Sequence, residues 1–296
     1  MKDGGGAGPG AVLCVGRVYC DLVFTGVPRL PSPGTEVFAG GLALSAGGGA
    51  AITAAWLVHG GRPACLAAHL PREPFEAVVR RDLDAAGVDL RFCAPAEAGS
   101  DPQLTVAIVG GADRAFLTRA DGAAVPPLEA GPLRAAGIRH VHVGELATLR
   151  ARPDLIALAR SLGATLSADC AWDDGVDADV APLIAVLDVF LPNEAEAARL
   201  RALGVAPAPL TVVKRGAGGA EARDGRGTVR AGTDPVTAVD PTGAGDAFDA
   251  GFLHLWLDGA PLDAALRAGN ACGARAVRGA GGLPRGAGAV RTEAGG

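Results

Sequence analysis

The chain of 296 residues lacks any long apolar run. The longest, near Ala181–Leu191, is interrupted by Asp188. It falls short of the roughly 20 apolar residues that a bilayer-spanning helix needs. Met1-Lys2-Asp3 and the glycines after it lack the apolar core of a signal peptide. There is no C-x-x-C and no His–Cys ligand spacing. Cys14, Cys20, Cys65, Cys93, Cys170 and Cys272 are scattered, which argues for reduced, mostly buried thiols and against a disulfide frame or a zinc site. A basic excess is missing as well: Lys plus Arg is 27 against 32 for Asp plus Glu, a net charge of −5. That leaves no basic face for nucleic acid. Neither G-x-x-x-x-G-K-[ST] nor G-x-G-x-x-G occurs, which argues against a P-loop nucleotidase and a dinucleotide dehydrogenase. These absences imply a soluble, cytoplasmic protein with neither a membrane nor a nucleic acid as partner.

What is present is apolar. At 49% hydrophobic and 20% charged, the chain can build a substantial core. Ala11–Val15 reads as a strand buried on both faces and ending at Gly16. From Gly61 onward strands alternate with helices: Cys65–Ala68, Pro74–Ala86, His140–Gly144, Pro153–Leu162, Thr165–Asp169, Val186–Leu191, Leu210–Val213 and Pro261–Val277. Two Pro/Gly-rich or hairpin-like excursions, near 17–44 and 100–120, break that alternation. His140 and His142 share one strand face. A metal pair there would lack a third ligand, so buried or interface histidines are expected.

One stretch carries the chemistry, Asp240-Pro241-Thr242-Gly243-Ala244-Gly245-Asp246-Ala247-Phe248. Pro241 keeps the residue before it extended. Gly243 and Gly245 let the backbone bend and let a ligand approach it. From Asp246 the spacing of Phe248, Phe252, Leu255 and Trp256 is helical. Free N–H groups at such a turn form an anion site at the positive end of a helix dipole. A carboxylate at that spot suits a base that takes a proton from an alcohol attacking a bound phosphate. The plainer alternative is that Asp246 caps the helix. Elsewhere Asp21 stands beyond the end of the first strand, where open α/β sheets bind ligands, or simply makes a loop turn. Asn193-x-x-Glu196 has the spacing of a capping box.

The run around Asp246 resembles the C-terminal signature of the ribokinase-like (PfkB) carbohydrate kinases. Ser45-Ala46-Gly47-Gly48-Gly49 with the Ala-rich helix after it resembles their N-terminal signature. The resemblance extends from about Ala11 to Gly282. It implies one doubly wound α/β domain over 11–290, with a mostly parallel sheet, helices on both faces and a small β-sheet lid from the two excursions. The segments 1–10 and 284–296 are read as loose tails. It further implies that Asp246 is the base and that Gly243, Ala244 and Gly245 supply the anion hole. Asp21, Gly47, Gly48, position 52 and Glu145 would grip the sugar. Asn193, Lys214, Gly216, Gly219 and Asn270 would face ATP, with Glu196 in the network around Mg²⁺. Asp240 and Thr242 would form a site for a monovalent cation such as K⁺. The lid would pair two copies into a homodimer.

Two positions depart from the family. Ile52 and Tyr19 stand where asparagines usually contact sugar hydroxyls, and a site built to pair a hydroxyl discriminates strongly against its loss. Plain ribose is therefore not the expected substrate. A phosphosugar would need cations over the pocket, and Arg114 and Arg119 are the candidates on the second excursion. The expected activity is transfer of the γ-phosphoryl group of ATP to a hydroxyl, in the first instance a primary one, of a sugar-like molecule. A nucleoside kinase and a ligand-binding regulatory pseudokinase are the alternatives.

Overall fold

The structure, a computed structural model, describes residues 10–284 except 102, 111, 112 and 172, and the side chains at 109, 110, 113 and 114 are set aside. The tails at 1–9 and 285–296, Gly111 in the second excursion and the Arg114 side chain lie outside the described residues.

The first half of the chain runs β1 (Ala11–Val15), β2 (Tyr19–Thr25), β3 (Gly41–Gly47), α1 (Gly49–His59), β4 (Ala64–Ala67), β5 (His69–Leu70), α2 (Phe75–Ala85), β6 (Ala94–Pro95), β7 (Leu104–Gly110), β8 (Asp113–Arg119) and α3 (Ala130–Ala135). The second half runs β9 (Ile138–Val143), α4 (Leu146–Ala151), α5 (Asp154–Leu162), β10 (Thr165–Asp169), α6 (Ala181–Ala185), β11 (Val189–Leu191), α7 (Glu194–Ala202), β12 (Thr211–Lys214), β13 (Ala220–Asp224), β14 (Gly227–Ala231), α8 (Ala244–Trp256) and α9 (Leu262–Ala276).

Eight strands form one sheet in the order β14-β13-β12-β11-β10-β9-β1-β4. It is parallel from β4 to β12, and β13 and β14 add an antiparallel edge. Alternate residues of β1 feed opposite cores because side chains alternate across a strand. Val12 and Cys14 join α1, α2, α8 and α9 on one face, while Leu13 and Val15 join α3, α4, α5 and α6 on the other. The chain leaves β1 for β4 on one side and later returns to β9 on the other. The topological switch therefore falls at β1, and open α/β sheets bind ligands at such a point.

The two excursions meet in a second sheet, ordered β3-β2-β7-β8. Leu42 on β3 and Phe116 and Leu117 on β8 are exposed, as is Phe38 just before β3. β5 and β6 form a separate two-stranded parallel pair.

His140 and His142 are core residues. His140 is hydrogen-bonded through Nδ1 to Thr165 Oγ1 (2.7 Å) and through Nε2 to Ser167 Oγ (2.8 Å), and His142 Nδ1 reaches the same Ser167 (2.9 Å). Burial pushes both rings down to about 3, so they are neutral. Among the described residues no cluster of His, Cys, Asp and Glu forms a metal site. No helix among them is long and apolar enough to cross a membrane.

Candidate active site

The parallel strands end on one edge of the sheet, and α8 directs its N-terminus at that edge. Gly243 precedes the helix in a left-handed conformation, φ +73°. A Cβ there would lie 2.6 Å from the Gly282 Cα and 3.2 Å from the Ile52 side chain, so only glycine fits this turn. No side chain caps α8. The Ala244 N–H donates to the Pro241 carbonyl (3.3 Å). Those of Gly243 and Gly245 have no acceptor among the described residues. Of the three residues expected to form an anion hole, Ala244 thus has its N–H already engaged.

Asp246 is the third residue of α8. Its Oδ1 lies 2.8 Å from the position a Cβ on Gly49 would take. Thr53 Oγ1 donates to its carbonyl (3.2 Å). Asp246 thereby touches Gly49, the glycine that opens α1. Burial first, and then the charge of Asp169, push the Asp246 carboxyl up to about 7, against the opposing pull of Lys214. A carboxyl so poised exchanges protons near neutrality, which is what a general base requires.

The substrate half lies on the side of β1 to β3. A side chain at Gly47 would overlap the Asp21 carboxylate, and one at Gly48 (φ +101°) would overlap the Arg17 carbonyl. Asp21, on β2, has no hydrogen-bond partner among the described residues. Burial, then Asp246 and Asp240, push it up to about 7. Glu145 follows β9. Its Oε1 accepts the Arg17 N–H (2.8 Å) and the Thr148 hydroxyl, and burial raises its carboxyl. Ile52 is 3% exposed and packs beneath Gly243 and Gly282. At this position, then, the chain braces the glycine turn with an apolar side chain and presents no amide to a ligand. Tyr19 starts β2, and burial together with Glu145 and Asp21 pushes its hydroxyl up to about 12.

The other half is a cleft of about 670 Å³ whose lining includes Asn193, Glu196, Lys214, Gly216, Gly219 and Asn270, with Asp246 at its inner end. Asn193 and Glu196 form a complete capping box on α7. Asn193 Oδ1 accepts the Glu196 N–H (3.0 Å), and Glu196 Oε2 accepts the Asn193 N–H (2.8 Å). Burial and the nearby Asp169 raise the Glu196 carboxyl. Gly219 (φ +81°) must be glycine, because a side chain would strike the Ala231 carbonyl. Asn270 donates through Nδ2 to the carbonyls of Ala231 and Gly232, both at 3.0 Å. Its amide donors therefore tie α9 to the end of β14.

Asp240 is buried behind the turn. Its Oδ1 accepts the Thr242 N–H and its Oδ2 the Gly281 N–H, each at 2.9 Å. Trp56 holds the same loop, its indole N–H donating to the Gly282 carbonyl (2.8 Å).

Lys214 was expected to face ATP. In the structure its Nζ donates to Asp169 Oδ2 (2.8 Å) and to Asp249 (3.1 and 3.2 Å) while the side chain lines the cleft. Asp169 and Asp249 were not foreseen. Asp169 had a signal, as the last residue of a strand on the ligand edge. Asp249 had none, since it sits among the apolar residues of α8. Arg119 is spent on Asp101 (2.6 Å) at the exposed lid. Arg17, also unforeseen, donates to Gln103 Oε1 (2.9 Å) and to the carbonyls of Asp121 (3.3 Å) and Gly122 (2.7 Å), beside the substrate half.

Comparison with known proteins shows the family. Residues 11–284 match the pfkB family carbohydrate kinase model. An ATP-dependent ribose-1-phosphate kinase of Halopiger xanaduensis is 35% identical over 276 residues, spanning 89% of this chain and 90% of that protein. The Methanocaldococcus jannaschii nucleoside kinase superposes with a TM-score of 0.78 at 19% identity, over 94% of this chain and 96% of that one. Arabidopsis thaliana ribokinase complexed with ribose and ATP gives 0.76 at 19% identity, over 93% and 96%. At that identity the two structures speak for the fold, and the family rests on the matched model and the near-full-length relative. The chain belongs to the pfkB family of carbohydrate kinases.

Proposed function

We propose that this ATP-dependent carbohydrate kinase phosphorylates a hydroxyl of a phosphosugar of the ribose 1-phosphate kind, with Asp246 as the base. The observation that carries the base assignment is the Asp246 carboxyl, pushed up to about 7 and standing beside the unengaged N–H of Gly245 where the two halves of the site meet. In the reaction the substrate hydroxyl gives its proton to Asp246 and its oxygen bonds to the γ-phosphorus. The bond from that phosphorus to the bridging oxygen breaks, and ADP leaves. The N–H groups of Gly243 and Gly245 stabilise the charge on the group in transit.

Support for the phosphosugar comes from the near-full-length relative named for that substrate, and from the replacement of sugar-binding amides by Ile52 and Tyr19. Arg17 is the proposed partner of the substrate's phosphate. It adjoins Glu145 and is electrostatically coupled to Tyr19. Glu196 suits Mg²⁺, which takes one or two carboxylates together with waters and phosphate oxygens. Its carboxyl and that of Asp169 repel one another, and a divalent cation relieves this. When bound, Mg²⁺ supplies charge neutralisation at the phosphates. A monovalent cation at Asp240 and Thr242 would add to a loop already clamped by Asp240. Pairing of two copies through the lid would cover Leu42, Leu44 and Leu117, which share one face of the second sheet. We place this chemistry in the cytoplasm, where ATP is abundant.

The test is ATP turnover with ribose, ribose 1-phosphate, ribose 5-phosphate, fructosamines and nucleosides. Ribose 1-phosphate is expected to exceed ribose in kcat/KM by about 100-fold or more, since a site built to pair a polar group rejects an analogue that lacks it. Arg17→Gln is expected to narrow that gap. Equal or better turnover of ribose or of a nucleoside would overturn the phosphosugar reading.

A further inference from the structure

One buried cluster has no task in the reaction as proposed. Asp249 follows Asp246 by three residues on α8 and is fully buried. It meets the ammonium of Lys214, which Asp169 also holds. Taking a charge out of water costs several kcal/mol unless it is well paired, and here two carboxyls crowd one ammonium. Burial pushes the Asp249 carboxyl well above the usual carboxylate range, with Asp169 adding to the push. An apolar residue would serve the core at that position without this arrangement.

The geometry of the ammonium supplies a reason. It has three N–H donors; one meets Asp169 Oδ2 (2.8 Å), and the near-equal contacts to both oxygens of Asp249 (3.1 and 3.2 Å) are those of one N–H shared between them. The third is left for the cleft, into which the side chain is 11% exposed. Nζ also lies 3.4 Å from where a Cβ on Gly245 would stand, so the spare donor is beside the N–H groups that form the anion site. A free lysine side chain is flexible. Clamped on two sides, it becomes a fixed donor.

We propose that Asp249 is a positioning residue: with Asp169 it clamps Lys214 so that the remaining N–H meets the phosphoryl group in transit at the Gly243–Gly245 turn. The inference rests on the kinase chemistry proposed above.

A double-mutant cycle tests it, with Asp249→Val, Lys214→Met and the double variant compared in the full chain. Lys214→Met is expected to lower kcat about 100-fold, the scale for loss of one donor at an anion site. Asp249→Val should lower it about tenfold, with both KM values within about threefold. Because Asp249 acts through Lys214, the double variant should be no slower than Lys214→Met alone. A second readout is calorimetric. Affinity for ADP with aluminium fluoride, a mimic of the group in transit, should fall about tenfold in Asp249→Val while affinity for ADP alone holds. If the valine variant fails to fold, Asp249→Ala takes its place in the same cycle. Full kcat in the Asp249 variant, or losses that multiply in the double variant, would overturn the proposal. A wild-type chain without turnover on any substrate would remove the kinase chemistry and the clamp with it. A working wild type with an equally fast Asp249 variant removes only the clamp.

Discussion

Asp246→Asn is expected to lower kcat about 1,000-fold, in the middle of the range for loss of a general base, while ADP binds as before. Asparagine keeps the shape of the side chain and cannot take the proton. The wild-type pH profile provides an independent check. The carboxyl must be ionised to act, and its environment pushes it up to about 7, so kcat/KM should rise with pH and level off above about 7.

The same upward push has a consequence for stability with a definite sign. In the unfolded chain an aspartate ionises near 3.9. Between about pH 4 and pH 7 the folded state therefore holds a proton that the unfolded state has released, and stability falls as pH rises through that window. Asp246→Asn removes this penalty. Its gain in melting temperature over the wild type should grow from pH 4 to pH 7 and then stay constant. A variant that is inactive, more stable and more so at pH 8 than at pH 4 would match a carboxyl kept in a hostile place for its chemistry. A loss of kcat below tenfold would remove Asp246 from the role of base.

Gly243→Ala should have the next largest effect, a fall in kcat of about 100-fold, comparable to loss of one oxyanion-hole donor. The backbone there has φ +73°, which an L side chain adopts with difficulty. The added methyl would also meet the Gly282 Cα and Ile52. Neither neighbour can yield cheaply, because Gly282 is held by Trp56 and Ile52 is buried in the core. The turn itself must move, and with it the N–H of Gly245. Since the global fold does not depend on this turn, the melting temperature should drop only modestly. Comparing kcat with the melting temperature across Gly243→Ala and Gly131→Ala, a control glycine with open space around it, separates the two contributions.

Much of this site was legible because its signals are local. Asp240 to Phe248 specify a turn, a glycine at a left-handed position and a helix start within nine consecutive residues, so the anion site and its acid could be read together. β1 and β10 were read residue for residue: β1 is an apolar run closed by Gly16, and β10 alternates polar and apolar residues between a helix and Asp169. β11 was expected from Val186 and begins at Val189. The three residues before it finish the turn after α6, with the Leu187 N–H on the Ile184 carbonyl, and Asp188 pairs with Arg160. The hairpin of β13 and β14 went unread. Its inward residues on β13 are Ala220 and Ala222, and alanine is a weak strand signal. The clamp on Lys214 was beyond reach for a different reason. Its partners lie 45 and 35 residues away in sequence, and nothing short of the assembled sheet and helix brings them together. Ile52 shows the converse: the motif located the position, and only the packing showed that it braces the glycine turn.

Trp56 makes that turn visible to light. Its indole N–H is bonded to the Gly282 carbonyl, its ring is 5% exposed, and the Arg275 guanidinium lies 5.6 Å from the ring centre. The loop that Gly282 belongs to adjoins Gly243 and is tied to Asp240 through Gly281. Any shift of the turn when a nucleotide settles in the cleft alters the hydrogen bond and the charge around an excited indole. The molecule thus carries its own chromophore bonded to that loop, and its emission should report occupancy of the cleft without an added dye.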